Sequence, residues 1–505
     1  MAQSGANGHL NIRFAYEDGL PGESLTTLTD SLGHRTRYGV DDRARVVSET
    51  DPTGATTHFS HDLWGRLLSR TDPLGHTTRF EWSEEGRPLA VIRPDGRATR
   101  AQYDARGLPV KVLNPDGTTV RQTYDARGRR TSVTGTSGVT TRFAHDARGH
   151  LSAVTDALDA TTTVRSDAAG LVVSTTDPLG ATTTYERDAF GRPVAVTDPL
   201  GRTTHLTWSV EGRLLRRAYA DGSAESWTYD GEGNCLTHTD AAGGVTVSEY
   251  GDFDLLVART GPDGARYGFA HDTELRLTGV TNPQGLVWSY HYDPAGRLAS
   301  ESDFDGRALA YGHDPAGRLV SRTNALSEVT RYEHNALGQV TEKRTPAGST
   351  AYEYDVSDQL ASVTSPDSTL TWLRDRAGRI RSETVDGRTL SYAYDALGRR
   401  SARTTPSGAR SEWTYDAAGR NTALTTSGRT LTFTHDAAGQ ELARTIGAVT
   451  LAQEYDSHRK NSQPCTTTRT RKDTPGYSTV RNCAPQSMST TPRTPGSVTV
   501  NTCRI

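Results

Sequence analysis

Apolar and polar residues alternate along this chain in short runs. Val194 and Val196, then Leu206 and Trp208, are spaced by two, with small or polar residues between them. A period of two is the signature of a strand with one face packed, not of a helix. The runs last about six residues and are rich in Thr, which suits a pleated surface. Gly, Pro, Asp and Asn punctuate them. The pattern predicts an all-β chain of many short strands joined by tight turns.

The punctuation is periodic. A position that is usually aromatic or His and usually followed by Asp recurs at 40, 61, 82, 103 and onward to 334 in unbroken steps of 21, then at 354, 374, 394, 415, 435 and 455. Of these 21 anchors, 17 are Tyr, Trp or His, 17 are followed by Asp, and 16 have Gly four residues on, so chance does not hold the register. The residue two before the anchor is aromatic in 15 of the 21, and two apart in a strand means one shared face. Stacked from repeat to repeat, the two positions would form a double aromatic ladder. Each repeat reads as a β-hairpin that buries little alone and is stabilised by its neighbours.

Two turns alternate. The anchor turn runs Tyr103-Asp104 to Gly107, Tyr124-Asp125 to Gly128-Arg129, Tyr292-Asp293 to Gly296-Arg297, Tyr394-Asp395 to Gly398-Arg399 and Tyr415-Asp416 to Gly419-Arg420. About ten residues later comes a second turn, as in Asp72-Pro73-Leu74-Gly75 or Asp177-Pro178-Leu179-Gly180. Asp caps the backbone ahead of it, Pro presets φ, and Gly takes the positive φ.

These motifs resemble the YD-repeat, or Rhs-repeat, family, named for the Tyr-Asp pair. The resemblance covers residues 24–456 and implies tandem hairpins wound as a β-sheet spiral, part of a hollow shell. It also implies a non-catalytic role. In bacterial Rhs polymorphic toxins the shell encloses and helps deliver a C-terminal effector, which would be the partner of this region in a full-length, secreted or cell-surface protein. Similar shells in teneurins serve adhesion, and carbohydrate binding has been attributed to such repeats. The alternative is therefore an extracellular or cell-wall module that binds cell-surface glycans. The core-closing segment that marks self-cleavage in Rhs toxins is not recognisable, which disfavours a self-processing protease. Residues 1–23 read as a lead-in, a degenerate repeat.

Composition changes the picture at one place. Overall, 57 Lys and Arg against 60 Asp and Glu leave a net charge of −3 and no basic stripe for nucleic acid. Residues 1–456 carry −10 and residues 457–505 carry +7. That tail lacks Leu, Phe, Trp and Glu and holds Cys465, Cys483 and Cys503. It cannot bury enough apolar surface to fold alone. A disordered basic linker, a disulfide-held toxin fragment and a shifted reading frame through further repeats all fit; the abruptness favours the last. No apolar run reaches the ~20 residues of a membrane helix, and the first ten residues do not form a signal peptide.

Candidate chemistry is sparse, and no cofactor is expected. One Asp per 21 residues fits a turn cap better than calcium-binding rolls with their nine-residue period. The anchor histidines His61, His145, His271, His313, His334 and His435 lie at least a repeat apart, without the converging ligands that zinc needs. Cys235 is a lone thiol. The Arg after the turn Gly, at 66, 87, 129, 192, 213, 297, 318, 379, 399 and 420, reads as an exposed row paired with acids of neighbouring repeats, each pair contributing under ~1 kcal/mol. The sharper reading of that row is a surface for anionic glycans.

Overall fold

The computed structural model describes residues 2–3, 8–18, 23–455, 465–471 and 477–482. Among them, every strand is antiparallel to the next in sequence, giving a single 46-stranded meander whose two end strands do not pair with each other. The all-β, tandem-hairpin expectation holds.

One repeat shows why these residues fold this way. Thr119–Tyr124 runs out, residues 125–129 turn, and Arg130–Thr134 returns. Thr123 faces Ser132 but Tyr124 faces Arg130, so one extra residue bulges out of the returning strand. The same register shift follows nearly every anchor, for example at Tyr292 and Tyr415. The base of the second turn is clamped by paired threonines. Thr134 and Thr140 hydroxyls meet at 2.8 Å, and Thr71–Thr77, Thr176–Thr182 and Thr197–Thr203 do the same at 2.8–2.9 Å.

The later change of period from 21 to 20 has a local cause. In several later repeats the second turn shrinks to two residues, as at Asp386-Gly387 and Ser427-Gly428. Both residues of each pair hold positive φ (48° and 79°, 50° and 74°), the mirror-image turn that matches strand twist.

The sheet also returns on itself. Ser31 reaches Thr273 and Glu274, Arg93 reaches Asp358, Ser357 reaches Asp116 and Arg202 reaches Gln440. These partners lie 238–265 residues apart, so one coil takes about a dozen hairpins. The lead-in residue Leu10 donates its N–H to Thr273 O at the same overlap.

There is almost no conventional core. Among the described residues, Ala90, Ala195, Leu214, Ala258, Val280 and Ala402 are the buried apolar ones, and no large side chain is fully enclosed. The anchor and the residue two before it do share one face, and both are half-buried, as at Phe143 and His145. Few of its rings meet one another among the described residues, however, and guanidinium groups lie over many of them instead. The calls for residues 457–505 fall largely outside the described residues; within them, Cys465–Arg471 and Tyr477–Asn482 extend the sheet from Val449–Glu454.

Candidate functional site

The repeated anchor turn is where this chain concentrates its polar chemistry. In Tyr415-Asp416 to Gly419-Arg420, one carboxylate oxygen of Asp416 accepts the backbone N–H groups of Ala418 (3.0 Å) and Arg420 (2.9 Å). The other accepts Arg420 Nε at 2.7 Å. The backbone closes the loop with Asp416 N–H to Arg420 O (2.9 Å) and Gly419 N–H to Asp416 O (3.0 Å). Asp125 with Arg129, Asp293 with Arg297 and Asp395 with Arg399 repeat the ion pair at 2.6 Å each. Asp104 differs. Leu108 stands where Arg would, and Arg106 within the turn takes the free carboxylate oxygen. Gly107, Gly128, Gly296, Gly398 and Gly419 all hold φ between 80° and 85°.

The Arg row is therefore not an exposed set paired with neighbouring acids. Arg399 and Asp395 side chains are each 20% exposed, and they belong to the same turn. What Arg399 reaches in the next repeat is an aromatic ring and a carbonyl. Its guanidinium lies 4.6 Å from the centroid of Tyr415 and donates to Asp416 O at 3.4 Å. Arg276 over Tyr292 and Arg379 over Tyr394, both at 4.8 Å, repeat the arrangement. Guanidinium groups thus interleave the rings that the sequence placed in a continuous stack, and cation–π attraction replaces part of the aromatic contact.

The anchor itself is a hydrogen-bond donor, a role that sequence reasoning missed. Tyr103, Tyr124, Tyr292, Tyr394 and Tyr415 hydroxyls donate to the carbonyls of Pro88, Pro109, Leu277, Ile380 and Arg400 at 2.7–3.0 Å. Each acceptor begins the bulged strand of the preceding repeat. Trp82 and Trp208 do the same through Nε1, and Arg187 and Arg374 through their guanidinium groups. The signal was available: five of the nine Phe residues stand two before an anchor and none stands at an anchor. Replacing Tyr292 by Phe should therefore lower stability by about 1 kcal/mol while leaving the ring in place. Denaturant unfolding beside a Tyr290→Phe control checks this.

Several turn carboxylates, among them Asp104, Asp125, Asp293 and Asp416, are held below their ordinary range. For Asp125 the leading cause is the backbone N–H of Arg129, and for Asp104 that of Leu108. For Asp416 desolvation pushes upward and is outweighed by the N–H and guanidinium of Arg420. Asp41 falls to about 2, led by its bond to Arg45. A depressed folded-state pKa stabilises above the unfolded value and stops doing so as pH falls through the folded one. Thermal stability should slip only slightly between about pH 7 and 5, where the lowered histidines His271 and His334 take up protons, and fall steeply from about pH 4 towards 2. A melting series whose main decline came between pH 7 and 5 would contradict this assignment.

Burial lowers His271 and His334. Among the described residues no three His, Cys, Asp or Glu side chains converge as a metal site. Cys235 donates weakly to Thr237 O. No helix among the described residues is long and apolar enough to cross a membrane.

The family profile described as RHS Repeat matches twelve stretches between residues 40 and 410, many of them overlapping, each spanning an anchor turn and its neighbours. The chain belongs to the RHS repeat family. The array is similar in fold to solved toxin complexes. A TcdB2-TccC3 structure without its hypervariable C-terminal region aligns with a TM-score of 0.60 at 14% identity, over 89% of this chain and 31% of that one. A TcdB2-TccC3-Cdc42 structure aligns at 0.49 and 14%, over 92% and 31%. The Photorhabdus luminescens Tc holotoxin pore carrying TccC3-D651A aligns at 0.39 and 15%, over 91% and 32%. The RHS array thus spans about a third of each of these chains. No curated protein sequence matches it.

Proposed function

We propose that this RHS array is a non-catalytic wall segment of a shell that encloses, and helps to deliver, a C-terminal effector of a longer secreted or cell-surface protein. The observation that supports this reading is the architecture itself. A sheet coils through more than one turn with almost no enclosed core, stabilised hairpin to hairpin by Asp, Arg and Tyr. Such a wall gains its stability from neighbours rather than from an interior. The repeated polar residues are engaged in bonds to turn backbone and neighbouring rings, which is work for a scaffold. The test is limited proteolysis of the full-length gene product. The segment after the array should resist cleavage until acid opens the turns. Cleavage at the rate of the isolated segment would sink the proposal.

One cluster favours the glycan-binding alternative. Glu301 accepts Trp288 Nε1 (3.1 Å) and Tyr311 Oη (2.6 Å), and Trp288 lies edge-on to Phe304 at 5.5 Å. Desolvation, then the bond to Glu301, lifts the Tyr311 hydroxyl to about 12. Aromatic faces beside an oriented carboxylate suit a sugar. Glycan-array binding lost in Trp288→Ala would support this reading, and no binding by the natural chain would remove it.

A further inference from the structure

Where the sheet overlaps itself, second turns of the earlier coil meet anchor turns of the later one, as at Ser31 with Glu274 and Arg202 with Gln440. Rows of similar repeats could meet in several alignments, each one hairpin out of step with the next. Close packing does not choose between them. The facing rows leave a crevice of about 790 Å³, with Pro52 and Pro73 on one side and Ala316 and Leu337 on the other. What joins the rows is a short set of polar rungs.

These rungs use residues that break the repeat. Ser31 stands where Pro52 and Pro73 stand in their turns, and its N–H donates to Glu274 Oε1 at 2.9 Å, a bond that proline cannot make. Glu274 itself replaces the Ala of turns such as those of Ala295 and Ala316. Gln440 replaces the arginine found at Arg399 and Arg420. It accepts from Arg202 at 3.1 Å, where a second guanidinium would repel.

The turn of residues 355–359 departs furthest. It is held by two neighbouring second turns of the earlier coil. Ser357 Oγ donates to Asp116 Oδ2 of one turn at 2.8 Å, and Asp358 pairs with Arg93 of the other. Arg93 begins its turn where Asp51 and Asp72 begin theirs, and it also holds Asp95 at 2.9 Å. Its side chain is only 18% exposed, so losing a partner there is costly. Asp358 occupies the Gly position at φ 64°, a conformation that favours glycine. One repeat earlier the same place is Gly338 and one repeat later Gly378, and neither offers an acid to Arg93. The chain thus keeps a disfavoured residue in a turn where that residue gains a partner 265 residues away.

We propose that turn 355–359 is a register key: held by Arg93 and Asp116, it fixes how many hairpins make one coil, and so the girth of the coil. A poorly solvated ion pair adds little net stability, but it selects an alignment, because every other alignment strands a charge. This inference rests on the coil itself and does not depend on what the array encloses.

The test restores the repeat at this site in the intact chain, with Asp358→Gly and Arg93→Asp together. Each change installs the residue that equivalent turns carry, as at Gly338 and Asp72. Register is read elsewhere on the overlap by pairs of introduced cysteines, with disulfides mapped by mass spectrometry. Ser31→Cys with Thr273→Cys reports the natural alignment, because those two hydroxyls lie 2.7 Å apart. Ser31→Cys with Asp252→Cys, or with Pro294→Cys, reports a coil one hairpin narrower or wider. In the otherwise natural chain cross-linking should be confined to the first pair. In the restored variant a slipped pair should form at the expense of the first. Slipped pairs that stay at background while the first persists overturn the proposal. Loss of all three cross-links, with the strands intact by circular dichroism, overturns it too, since the contact would then join the coils without choosing their alignment. If the double variant does not fold, Asp358→Gly alone decides by the same pairs, because it relieves its own turn. Arg93→Lys, which keeps the charge, should hold the natural alignment, and slipping equal to that of Arg93→Asp would count against the key.

Discussion

Replacing Gly128 by Val should destabilise its hairpin by about 2 kcal/mol. Gly128 holds φ at 81°, a region where a β-branched side chain crowds its own backbone. Space is not the obstacle, since the nearest atom to an added Cβ is the Leu108 side chain at 3.6 Å. The penalty is therefore conformational, and smaller neighbours will not relieve it. In a repeat array the loss should be local, faster amide exchange over residues 119–145 with distant repeats unchanged. The converse change tests the same physics. Leu275 occupies the Gly position of its turn at φ 62°, so Leu275→Gly should stabilise by up to about 1 kcal/mol. Unchanged exchange in Gly128→Val would refute the turn assignment.

Removal of one turn carboxylate should cost a similar amount. Asp416→Ala leaves the N–H groups of Ala418 and Arg420 without their acceptor and frees Arg420 from its ion pair. Unsatisfied donors in this half-buried setting cost about 2 kcal/mol together. Arg420 also donates to Asp436 O at 2.8 Å, so the damage should reach the next repeat. Asp416→Asn separates the terms, because it keeps an acceptor for the caps and loses the charge. The expected order of melting temperature is natural chain, Asn, Ala. An Ala variant as stable as the Asn variant would show that the backbone caps contribute nothing.

Much of this was legible because turn chemistry is local. Asp, Pro and Gly at set offsets report the backbone of five residues, and a strict 21-residue period multiplies the signal. The Arg partner was misassigned for the same reason. A periodic sequence places an Asp four residues before Arg399 and another seventeen after it, and only geometry decides between them. The Tyr hydroxyl was missed because its acceptor exists only through the bulge, a register shift that leaves no residue type behind. The overlap of the sheet on itself was invisible because partners some 240 residues apart share no motif.

Strict neighbour pairing also sets an order of events during synthesis. Each hairpin can close within microseconds of being exposed, since its contacts are local. The rung between Ser31 and Glu274 cannot form until 243 further residues have been made. At ribosomal speed that is roughly 10–50 s, during which the first coil stands as a single ribbon with both edges bare. Through that interval its survival rests on the Asp, Arg and Tyr links within and between adjacent repeats. A nascent chain weakened at one of them would meet chaperones or other ribbons before it met its own second coil.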